Sequence, residues 1–138
     1  MKTAIALIFI SIPLHAIEFI EVENCVAESG SESFEGKVAV HRTVLSRLKA
    51  SRHPTNTTEI ILKPYAFSWT KYGEAKSMNY KQFLECHKAI EQATRLGPWP
   101  YRHYYANKGA NAIPPPSWAL EAKQTLQIGN HLFLSGVK

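Results

Sequence analysis

Three stretches of the chain carry apolar residues at helical spacing. Across residues 17–29, Ile17, Phe19, Ile20, Val22 and Val26 alternate with Glu18, Glu21 and Glu23, which predicts a helix with an acidic, solvated face. A second helix is predicted from about Phe34 to Lys49, where Phe34, Val38, Leu45 and Leu48 form a stripe that includes His41. It stops before His53-Pro54, because the residue preceding a proline resists the helical region. On this helix Arg42, Arg47 and Lys49, with Arg52 beyond it, read as a basic solvated face, and His41 as a core histidine. The third helix spans Tyr80 to Leu96, with Phe83, Leu84, Cys86, His87, Ile90 and Ala93 on or near one face, and Gly97-Pro98 stops it.

The connections are equally readable. Gly30 can end the first helix, and Ser29 and Glu32 have the Ser-x-x-Glu spacing of a capping box for the second. Ser31 and Ser33 are alternative caps. Thr55 to Thr58 is a cap signal before Glu59 to Leu62, a single helical turn or short strand, and an irregular aromatic segment runs from Lys63 to Trp69. Tyr104-Tyr105 starts a short strand, and Ser117 to Ala122 makes a helical turn around Trp118. Gln124 to Ile128, Gly129-Asn130 and His131 to Leu134 read as strand, turn and strand. The predicted fold class is α+β, mainly α: one small domain of three main helices with a short C-terminal β-hairpin. A chain of 138 residues has room for one such core and not for two.

Residues 1–16 depart from this plan. Lys2, an apolar run from Ala4 to Ile12, and Pro13-Leu14-His15-Ala16 have the order of a secretory signal. The run is shorter than the ~20 residues of a membrane span. Leu14 is large for the third position before a cut after Ala16, and the alternative is an uncleaved N-terminal anchor. Export to the periplasm or outside the cell is the expectation, with residues 17–138 as the mature domain and any membrane contact confined to the first segment. In that setting Cys25 and Cys86 can form a disulfide between the first and third helices. Two buried thiols are the equal alternative.

The formal charge is +5, which favours an acidic partner. The basic residues are scattered rather than gathered in a run or stripe, so nucleic acid is not expected. Metal-ligand spacing is absent and no cofactor is expected. No Gly-x-Ser-x-Gly elbow is present either, which disfavours a serine nucleophile.

What remains is carboxylate chemistry. Glu28, at the end of the first helix among Ala27, Ser29 and Gly30, can be partly desolvated, which raises its pKa and suits it to donate a proton. Glu32 is the second acid of this stretch, and their separation cannot be read from the sequence. Polar and aromatic residues concentrate in three loop regions, Phe67-Ser68-Trp69, His103-Tyr104-Tyr105 and Gly129-Asn130-His131.

With these residues laid out, the chain resembles the SleB/CwlJ-type cell-wall hydrolase family. The resemblance is carried by Ala27-Glu28 through Val40, by Pro64 to Ser68, by His103-Tyr104-Tyr105 followed by Pro115-Pro116-Ser117-Trp118, and by Ile128-Gly129-Asn130-His131-Leu132-Phe133. It implies a lysozyme-related fold and peptidoglycan glycan strands as substrate. It also implies a lytic transglycosylase that cleaves the MurNAc–GlcNAc bond with Glu28 as its single catalytic acid. Glu32, Phe67, Ser68, His103, Tyr105, Asn130 and His131 are then the candidate substrate contacts, with Glu32 alternatively a capping acid that holds the turn. Trp69, Trp99 and Trp118 are read as core. An N-acetylmuramoyl-L-alanine amidase and a non-catalytic wall-binding module are the alternative functions, and a monomer is expected. Ser31, His41-Arg42 and Ser46-Arg47 depart from the family pattern without removing Glu28.

Overall fold

The computed structural model describes residues 16–53, 56–72 and 77–138. The proposed signal, apart from Ala16, and most of the Gly73 to Ser77 loop lie outside the described residues. Helices α1 (Phe19–Ser29), α2 (Phe34–Ala50) and α4 (Tyr80–Leu96) form the main body, with a short α3 (Thr57–Leu62) against the first two. Strands β1 (His103–Ala106), β2 (Gln124–Ile128) and β3 (His131–Ser135) form one antiparallel sheet in the order β1-β3-β2. The predicted hairpin is therefore two-thirds of a three-stranded sheet, with the Tyr104-Tyr105 strand added along its free edge.

Local chemistry fixes the ends. Gly97, at φ +76°, stops α4 and donates its N–H to Ala93 O at 2.8 Å. The capping box expected at Ser29 and Glu32 does not form. Ser33 caps α2 instead, accepting from the Gly36 N–H at 3.2 Å. Ser29 is buried and donates to Cys25 O within its own helix, which leaves the Glu32 carboxylate free for a distant partner. Between the two helices Glu32 N–H donates to Ser29 O, and the buried Lys37 ammonium donates to Glu32 O while lying 3.6 Å from Glu85. The turn is thus held from below by α2 and α4.

A disulfide between Cys25 and Cys86 joins α1 to α4, with both cysteines essentially fully buried beside Val22, Val26 and Ile90. Two charged groups expected on solvated faces have tertiary partners instead. Glu21 is buried and 3.4 Å from the equally buried His41. Arg42 donates to Gly97 O and sits 4.9 Å over the Trp99 ring. In both cases tertiary partners offset the desolvation that keeps such groups outside.

The sheet has two unlike faces. Tyr104 opposite Phe133 and Ala106 opposite His131 face the helices, and Phe133 packs on Ala39 and Val40 of α2. Tyr105 and Leu134 face the other way and are covered by Trp118 from a 3-10 turn over Ser117–Glu121. At the hairpin tip Gly129 has φ +55°, and the space a Cβ would fill is taken by the Glu32 carboxylate. Gly129→Ala is expected to cost about 2 kcal/mol, from the left-handed backbone and the displaced carboxylate together. A shift of the denaturation midpoint read in urea measures it, and an unchanged midpoint contradicts it.

Candidate active site

A cleft of about 370 Å³ opens where the α1–α2 turn faces the hairpin tip and the end of β1. Glu28 lies on its helical wall, in the last turn of α1, and Glu32 beside it. Asn130 and His131 form the opposite wall, with Lys108 and Asn111 from the segment after β1.

The Glu28 carboxylate is partly buried and accepts a hydrogen bond from the Tyr104 hydroxyl at 2.6 Å. Burial raises its pKa above the ordinary carboxylate value, against the Tyr104 hydrogen bond and the nearby Arg47 charge, which both pull it down. The negative end of the α1 dipole also disfavours the ionised form. Tyr104 itself is driven well above the usual phenol range by burial and then by Glu28, so it remains a donor. Arg47 is held by neutral partners: Nε donates to Arg102 O at 2.7 Å and Nη1 to Ala66 O at 3.1 Å, with the guanidinium 4.8 Å over the Phe67 ring. The expected solvated arginine is therefore a fixed cation beside Glu28. Among these groups only Glu28 combines a raised pKa with access to the cleft, the combination a proton donor to a substrate oxygen needs.

Glu32 is engaged differently. Its Oε2 accepts from the Asn130 N–H at 3.4 Å and its Oε1 lies 3.7 Å from His131 Nδ1. Burial lowers the His131 pKa more than Glu32 raises it, so the imidazole is largely neutral at neutral pH. Glu32 thus ties the α1–α2 turn to the hairpin tip and sets the width of the cleft between Glu28 and Asn130.

The structure brings together Glu28, Glu32, Asn130 and His131, and places the other four candidates elsewhere. Phe67 is a core residue packed with Val44, Ile60 and Ile61. Ser68 is exposed at the start of a 3-10 turn outside the cleft lining. His103 and Tyr105 lie on the far face of the sheet, against Trp118. Because side chains alternate along a strand, it is Tyr104 that turns toward Glu28. Tyr104 and Arg47, which act on Glu28 by hydrogen bond and by charge, are candidate site residues that the sequence pattern does not single out. Strand alternation was the only signal for the first, and it gives no phase until β1 is paired with β3.

Tyr104→Phe is expected to slow any reaction that draws on the Glu28 proton about tenfold, by freeing the carboxyl to rotate. Losing a hydrogen bond to the ionised form raises the Glu28 pKa further, so the alkaline limb of the pH–rate profile moves to higher pH. A limb that stays in place would separate Tyr104 from Glu28 ionisation.

A helical body and a small antiparallel sheet thus enclose a cleft whose wall carries a partly buried carboxyl with a raised pKa. The chain belongs to the Cell Wall Hydrolase family, whose sequence profile matches residues 31–134. It is accordingly a peptidoglycan-cleaving enzyme. The matched segment begins just after Glu28, so the case for that residue rests on its geometry. The fold is similar to the catalytic domain of the germination-specific lytic transglycosylase SleB from Bacillus anthracis, at 22% identity and a TM-score of 0.64 over 84% of this chain and 91% of that one. It is likewise similar to the catalytic domain of the Bacillus cereus SleB protein, at 21% identity and a TM-score of 0.65 over 87% and 93%. No curated protein sequence matches significantly.

Proposed function

We propose that this enzyme is a lytic transglycosylase that cleaves the MurNAc–GlcNAc bond of peptidoglycan with Glu28 as its single acid and base. The observation that carries the reading is the partly buried Glu28 carboxyl, held by Tyr104 at 2.6 Å on the wall of the cleft. Protonated Glu28 gives its proton to the glycosidic oxygen as the bond from that oxygen to C1 breaks. The carboxylate left behind then takes the proton of the MurNAc C6 hydroxyl while that oxygen closes on C1. One C–O bond is broken, one is formed, no water is consumed, and Glu28 returns to its acid form. Glu32 accepts from the Asn130 N–H at the hairpin tip, which supports one carboxyl acting twice over a pair sharing the work.

A cell-wall substrate supports action outside the cytoplasm, and export directed by residues 1–16 is the proposed route. No helix among the described residues is long and apolar enough to cross a membrane. A zinc-dependent amidase would need a ligand set, and no group of three His, Cys, Asp or Glu is placed to supply one among the described residues. Digestion in water enriched in the heavy oxygen isotope tests the proposal. Unlabelled products are expected, whereas label at new reducing ends makes the enzyme a muramidase.

A further inference from the structure

A second depression, of about 450 Å³, lies at the C-terminal end of α2 and is separate from the cleft that holds Glu28. Three cations reach it from three segments: Arg47 from α2, Lys63 after α3 and Arg102 before β1. No acidic side chain lines it. Among the described residues Lys63 and Arg102 form no ion pair, and Arg47 is bound to carbonyls. The end of α2 contributes about half a negative charge, which a single cation offsets. A solvated basic face spreads its side chains over a convex surface, whereas these converge on a hollow. The excess positive potential registers at His103 on the pocket wall. There burial, and after it the charges of Arg47 and Arg102, disfavour the protonated ring.

The rest of the lining is not that of a bare ion site. Ile60, Ala66 and Val137 give an apolar side. At the rim Tyr65 is 99% exposed with φ +64°, a left-handed backbone uncommon for a bulky residue. Its ring covers nothing in the fold. An anion with aliphatic length suits this combination better than a compact one such as phosphate.

We propose that this pocket binds the acidic stem peptide of peptidoglycan, its carboxylates on Lys63, Arg102 and Arg47 and its aliphatic part along Ile60 and Val137. The proposal rests on the function proposed above, because the peptide is carried by the glycan strand being cut. Arg47 joins the two sites: it lines the pocket, and its charge acts on Glu28.

The test uses the Lys63→Ala/Arg102→Ala double variant, both side chains being exposed. Soluble glycan strands are prepared with their stem peptides and after enzymatic removal of them. The tripeptide L-alanyl-γ-D-glutamyl-diaminopimelate is titrated calorimetrically in parallel. The variant is expected to raise KM on peptide-bearing strands roughly tenfold, leave cleavage of stripped strands unchanged, and weaken tripeptide binding as far. Added salt weakens wild-type binding of the tripeptide too. An equal loss on both substrates, or tripeptide binding that is absent or indifferent to the substitutions, overturns the proposal. So does binding to anionic phospholipid vesicles without binding to the tripeptide. If the wild type leaves both glycans intact but binds the tripeptide through Lys63 and Arg102, the pocket stands and the transglycosylase reading falls.

Discussion

Glu28→Gln is expected to reduce glycan cleavage by about a thousandfold, within the range that a positioned general acid contributes. The amide keeps the shape of the side chain and still accepts from the Tyr104 hydroxyl, so what is lost is the proton. Stability should move the other way. The Glu28 pKa is raised in the folded protein, so the fold favours the neutral carboxyl. That contribution is present in acid, below the unfolded pKa, and is lost as pH rises through the folded value. Glutamine has no ionised form to penalise. The variant should therefore melt at or above the wild-type temperature at neutral pH, and the difference should vanish in acid. Thermal melts at both pH values check this. A variant that loses activity and also melts lower at neutral pH would assign Glu28 a structural role, whereas one that keeps its cleavage activity would remove Glu28 from catalysis.

The second large effect belongs to the Cys25–Cys86 disulfide, which closes a loop with a sequence separation of 61. Loop closure of that length corresponds to about 4 kcal/mol of stabilisation through the unfolded state. Both sulfurs are buried between α1 and α4, and α1 carries Glu28 at its end. Cys25→Ala/Cys86→Ala is expected to lower Tm by ~15 °C and to shift the urea midpoint accordingly. Near-wild-type stability of the double variant would contradict a structural role for the bond. Because the cystine is sealed from solvent, reduction under native conditions should be slow until the protein unfolds.

The three long helices were legible because 3.6-residue periodicity and strong end signals agree, as at Gly97-Pro98 after α4. The hairpin was legible from Gly129-Asn130, and its observed register pairs Ile128 with His131. What escaped depends on contacts distant in sequence. β1 pairs with β3 across more than 20 residues, and only that pairing decides that Tyr104 rather than Tyr105 faces Glu28. Charged residues misled where tertiary structure supplies their partners. Glu21 and Arg47 fit solvated faces by pattern, yet one is buried against His41 and the other beside Glu28. The Ser29 to Glu32 spacing fits a capping box, but three neighbouring serines compete for that role and Ser33 takes it. Glu32 is thereby free to reach the hairpin, a contact no local rule anticipates. Phe67 shows the converse: an aromatic beside Ser68 suits a sugar cleft as well as a core, and packing around Ile61 claims it.

In the proposed reaction one Glu28 carboxyl serves as acid and base while the C6 hydroxyl of the glycan attacks its own C1. Digesting purified sacculi and reading the released muropeptides by mass tests it most directly. Fragments ending in 1,6-anhydro-muramic acid are expected, each lighter by one water than its reducing counterpart, and none with Glu28→Gln. Release of free stem peptides from an uncut glycan would contradict it.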